Sequence, residues 1–230
     1  MVKMLFPYRK LLWVALNSFG FAISFILDTL IESGLAGIYT SSLTRAVIQW
    51  LLTGLTIAGS QYLYFLVFPL NVSRVRWFFV TWITIFVLIV VQVNLFLIIV
   101  EIIPELISNG LSTTYLGGTI VINEVNGVQT FVVSSVMGIT FGLINGLVLG
   151  ILQAFQFTDP KVRLAWFKAV VISFSVGHFI NSVLLAGLNE YFDIFPAGKY
   201  LYLWTLLLCI LGLLYGLSTR KLIVIAHGER

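Results

Sequence analysis

Of 230 residues, 60% are hydrophobic and only 10% charged, with a mean hydropathy of +1.05. A soluble domain carries about 25% charged residues, so this chain cannot cover a water-facing surface, and a bilayer is its natural solvent. The formal charge of +4 is no nucleic-acid signal; where the charges sit matters more than their sum.

The first apolar run covers residues 11–27 and follows Lys3, Arg9 and Lys10. It is long for the core of a cleaved leader and lacks a small-x-small site before Asp28, so it reads as a retained span. Five further runs cover 47–68, 77–100, 133–155, 166–185 and 200–217. A helix needs about 20 apolar residues to cross the hydrocarbon layer, and each run suffices, the first only just. None alternates polar and apolar residues as a barrel strand would. In lipid every backbone N–H and C=O must be paired internally, which an uninterrupted helix achieves. The expectation is an all-α integral membrane protein: one domain, 1–230, built as a six-helix transmembrane bundle.

Eleven of the thirteen Lys and Arg residues fall in alternate gaps: Lys3, Arg9, Lys10; Arg74, Arg76; Lys161, Arg163, Lys168; Arg220, Lys221, Arg230. The other gaps hold seven of the nine acids. By the positive-inside rule the basic side is cytoplasmic, which places both termini there. Trp13, Trp77 and Trp166 each follow a basic segment and read as interfacial anchors. The longest external loop, 101–132, is the largest exposed element. Its β-branched stretches 119–123 and 128–133 flank Glu124-Val125-Asn126-Gly127, and Asn-Gly between such stretches signals a short β-hairpin.

The fourth run carries Ser134, Gly138, Gly142, Gly146, Gly150 and Ala154 at strict four-residue spacing, a single helical ridge. The fifth carries Ala165, Ala169, Ser173 and Gly177 at the same spacing. Small residues let membrane helices approach closely, so the two ridges are expected to meet in a tight hairpin. The alternative is that the glycine face meets another subunit. A weaker repeat adds to this. Gly54 precedes Gln61 by seven residues and Gly146 precedes Gln153 by seven, each followed by a basic loop and a Trp. Three related helical hairpins, each pairing a Trp-led with a Gly-bearing helix, account for the pattern.

Asn145 and His178 fall near the centres of their spans. A midplane polar group is a functional candidate: His178 is suited to a proton relay, to a substrate contact or to single-histidine pigment ligation. The plainer reading is a hydrogen bond to Asn145 or Asn181 that ties helices together. Gln61 and Gln153 either line a vestibule or bridge helices. No catalytic constellation and no metal site is read from the sequence. His-Glu-x-x-His and the P-loop are both missing, and Ser182 lies on the same helix as His178 with no visible oxyanion loop. The cadence of a Gly-spaced helix, Gln61 or Gln153, a basic loop and a Trp resembles uncharacterised small polytopic membrane proteins of photosynthetic and other bacteria. That resemblance implies a bacterial inner or thylakoid-type membrane and no specific activity.

The expected function is a non-enzymatic subunit or scaffold in a membrane complex. Its partners would be the lipid bilayer and other membrane subunits or a second copy, with no nucleic acid. The alternative is a small-solute transporter or channel with a midplane site near Asn145 and His178. No cofactor is required by the sequence.

Overall fold

The computed structural model describes residues 8–35, 42–68, 72–102, 112–116, 119–123, 127–192 and 199–225. Among the described residues six helices follow in order: α1 (Arg9–Leu35), α2 (Ser42–Val67), α3 (Arg74–Ile102), α4 (Gly127–Ala154), α5 (Pro160–Phe192) and α6 (Lys199–Ile225). Their starts follow local chemistry. Ser73 caps α3, its Oγ accepting from Arg76 N at 3.3 Å. Asp159 caps α5, its Oδ1 accepting from Lys161 N at 2.8 Å. Pro160 follows at the first helical position, where its missing N–H costs nothing.

Among the described residues, five helices hold stretches long and apolar enough to cross a membrane: Arg9–Leu27, Val47–Val67, Arg74–Gln92, Pro160–Leu184 and Thr205–Ile225. These are the elements of a multi-pass membrane bundle. In α4, 28 residues long, the corresponding described stretch is the shorter Gly138–Ala154. The outward side chains suit lipid: Leu66, Ile83, Val87, Leu147, Ile172 and Leu206 are all exposed.

Between α3 and α4, β1 (Ser112–Leu116) pairs antiparallel with β2 (Thr119–Asn123), Ser112 opposite Asn123. This is not the hairpin expected around Asn126-Gly127. Residues 128–133 form the first turns of α4, and Asn126 lies outside the described residues. The β-branched bias of that stretch is overridden because it runs without a break into an apolar helix.

Contacts between side chains fix the helix directions. The N-terminal ends of α1, α3 and α5 meet the C-terminal ends of α2, α4 and α6 in one layer (Trp13, Trp77 and Trp166 with Gln61, Gln153 and Tyr215). Odd-numbered helices therefore run one way and even-numbered helices the other. Arg9, Arg74, Arg76, Lys161, Arg163, Arg220 and Lys221 gather at that same end, called the basic end below.

Candidate functional site: two polar layers in the helical core

The first layer lies at the basic end. Trp13, Trp77 and Trp166, expected at the lipid interface, are instead 0% exposed and form the centre of the core. Trp77 and Trp166 meet edge to face at 5.2 Å between ring centroids, and Trp13 lies 6.2 Å from Trp166. An indole N–H enclosed by protein needs an acceptor, and each finds one on a neighbouring even-numbered helix. Trp77 Nε1 donates to Gln61 Oε1 at 2.8 Å. Trp166 Nε1 donates to Gln153 Oε1 at 3.3 Å. Trp13 Nε1 donates to Thr219 Oγ1 at 2.9 Å.

The other half of each amide is also occupied. Gln61 Nε2 donates to Asn17 Oδ1 at 2.9 Å, and Gln153 Nε2 donates to Thr81 Oγ1 at 3.0 Å. Asn17 and Thr81 each lie four residues after a core tryptophan. The third such position is Val170, buried and apolar. Its counterpart Thr219 sends its one hydroxyl proton to Tyr215 O at 2.7 Å and so asks for no acceptor there. Tyr215 OH joins the two amides, donating to Gln153 Oε1 at 2.9 Å and accepting from Gln61 Nε2 at 3.4 Å. The sequence marked Gln61 and Gln153. It missed Thr219, although Thr219 follows Gly212 by the same seven residues, because a threonine does not look like a glutamine.

The glycines repeat this register. A Cβ on Gly54 would lie 2.8 Å from Trp82 O, one on Gly146 2.7 Å from Val171 Cα, and one on Gly212 2.8 Å from Ser18 Cα. Trp82, Val171 and Ser18 each lie five residues after Trp77, Trp166 and Trp13. Backbone packs against backbone at all three, an approach only glycine permits.

Along α4, Gly138, Gly142, Gly146 and Gly150 all face α5. They meet His178 and Ser182, Phe174 and Ser175, Val171, and Phe167 respectively. The other small-residue row does not answer them: Gly177 packs on Leu211 of α6. A groove of glycines is filled by larger neighbours rather than by a second groove. Ser173 is buried with its Oγ on Val170 O at 3.0 Å, Ala165 and Ala169 are half-buried, and Ala154 is buried. The Ser134 side chain lies outside the described residues.

The second layer lies deeper, linking α3, α4 and α5. Gln92 Nε2 donates to Asn145 Oδ1 at 2.5 Å, and Asn145 Nδ2 lies 3.1 Å from His178 Nε2. With its oxygen engaged by Gln92, Asn145 donates to His178, and the neutral imidazole then carries its proton on Nδ1. A pigment metal would have to displace Asn145 to reach Nε2. Asn181, the other residue marked near His178, makes no contact of this kind. It is 1% exposed, and its Oδ1 has no hydrogen-bond partner among the described residues. Hydrophobic side chains lie between the layers in register: Phe21, Ile85 and Phe174, each eight residues after a core tryptophan, are all buried.

No protein-family model, no curated protein and no solved structure matches this chain.

Proposed function

We propose that the chain is a non-enzymatic integral membrane subunit, a scaffold around which a larger membrane complex is built. The observation that carries this reading is the basic-end layer. Its tryptophans, glutamines and Tyr215 are buried and hydrogen-bonded to one another, and Trp77 and Trp166 meet edge to face at its centre. Such a layer holds helices in register. The chain crosses the membrane six times on this reading, with both termini cytoplasmic. The clustering of Arg and Lys at one end supports that orientation through the positive-inside rule.

The scaffold is read as three related two-helix units, each a Trp-led helix followed by a Gly-bearing helix. What supports this is the common register of the Trp partners Gln61, Gln153 and Thr219 and of the glycine contacts. Each unit's glycine helix packs on the tryptophan helix of the next, and α6 closes back on α1. Native mass spectrometry of the protein, extracted gently from its own membrane, tests the scaffold reading. Defined partner subunits are expected; a lone chain in every extraction would overturn it.

A second reading is favoured by one observation. The layer around Asn145 and His178 contains a buried amide, Asn181, with an unused acceptor. That fits a site for a small solute reached from the end opposite the basic one.

A further inference from the structure

The common register explains why Asn181 is left over. Fifteen residues after Trp77 stands Gln92, and fifteen after Trp166 stands Asn181. Gln92 bonds Asn145, the residue just before Gly146. The corresponding partner for Asn181 is the residue just before Gly212, which is Leu211, a buried side chain that packs over Gly177 one turn from Asn181. A leucine cannot accept or donate, so the amide that pairs in one unit is orphaned in the next. Leaving a buried amide unpaired is costly, and a bound group offsets this.

His178 supplies the complementary group. It sits one helical turn before Asn181 on α5, where residues three apart share a face. Its Nε2 is engaged by Asn145, which leaves the Nδ1 proton to be donated. One acceptor and one donor side by side match a small neutral molecule that carries both, as a primary amide does. A charged ligand fits poorly beside Asn181 and His178, because neither side chain supplies a charge to compensate it and an uncompensated buried charge is costly.

We propose that Asn181 and His178 form a binding site for a small neutral amide-like solute, whose N–H donates to Asn181 Oδ1 and whose oxygen accepts from His178 Nδ1. This rests on the second reading above and names its ligand class. The test uses the full chain in lipid nanodiscs, with side-chain ¹⁵N labels on Asn and His, titrated with acetamide. The Asn181 carboxamide and His178 Nδ1 resonances are expected to shift together and to saturate. Leu211→Gln, which offers Asn181 the amide partner it lacks, is expected to weaken the response about tenfold or more. Asn181→Leu should abolish it. Shifts that are absent, or linear in acetamide, or unchanged in Leu211→Gln overturn the proposal. So does a cross-peak to water alone, which marks an ordinary internal water. Uptake of labelled acetamide into vesicles separates the two ideas: saturable binding without uptake leaves the site standing and removes the transport reading.

Discussion

Trp13 on the first helix donates its indole N–H to Thr219 on the last, at 2.9 Å and across 206 residues of chain. That bond sits beside the glycine contact of Gly212 on Asn17 and Ser18 and of Gly216 on Val14. Together they join the two ends of the chain into one closed bundle.

Thr219→Val tests the closure, because valine keeps the shape and removes the acceptor. Trp13 is wholly enclosed, so its N–H has no lipid or water to turn to. Interhelical hydrogen bonds in membranes average about 0.6 kcal/mol. Leaving a buried donor unpaired costs more, about 1–2 kcal/mol here. Reversible unfolding in mixed detergent should show that loss. An unchanged midpoint would mean that packing alone closes the ring.

The glycines predict an order. Gly142→Ala and Gly146→Ala force a Cβ against α5 backbone, at 2.6 Å from Phe174 O and 2.7 Å from Val171 Cα. Each should destabilise by about 2 kcal/mol or more, in the range of overpacked cores, and Gly146→Leu by more still. Gly150→Ala meets its nearest atom at 3.3 Å, the ring edge of Phe167, and should cost less. Gly59→Ala meets nothing within 4 Å and should gain up to about 1 kcal/mol from helix propensity. Unfolding of the four alanine variants under one condition checks the ranking, and equal effects at Gly59 and Gly146 would sink it.

Asn145 stands between two partners and His178 has one. Asn145→Leu strips the acceptor from Gln92 and the donor from His178 together, whereas His178→Phe removes only the acceptor of Asn145. The expected losses are about 2 and about 1 kcal/mol, scaled from the cost of unpaired buried groups. The reverse order in unfolding measurements would show that His178, not Asn145, organises the layer.

Much of this was legible in the chain. Apolar run length located the helices, and the alternation of Lys and Arg anticipated the gathering of basic residues at one end. The four-residue glycine row marked the face that α4 turns to α5. What stayed hidden depends on which face meets which. Trp13, Trp77 and Trp166 carry the composition of interface anchors, and nothing local reveals that they turn inward. Gly177 has the spacing of a match for α4 yet serves α6, because one helix contacts two neighbours and a spacing rule names neither. Thr219 was obscured by chemistry: it accepts from its tryptophan with a hydroxyl where Gln61 and Gln153 use an amide oxygen.

The difference at Thr219 gives the most discriminating test of the three-unit reading. Gln153 accepts from Trp166 and donates to Thr81, while Thr219 accepts from Trp13 and its counterpart in register is Val170, which cannot accept. Thr219→Gln alone would therefore bury an unused amide donor, costing about 1–3 kcal/mol. Val170→Thr alone would bury a hydroxyl, which can turn back to its own helix as Ser173 does on Val170 O. Together the two substitutions rebuild the arrangement found at Gln153 and Thr81. The double variant should then recover about 1 kcal/mol relative to the sum of the singles, a coupling within the range for residues in contact. Additive losses would mean that the matching positions share a spacing in sequence but no equivalent geometry, and the reading of three related units would fall with it.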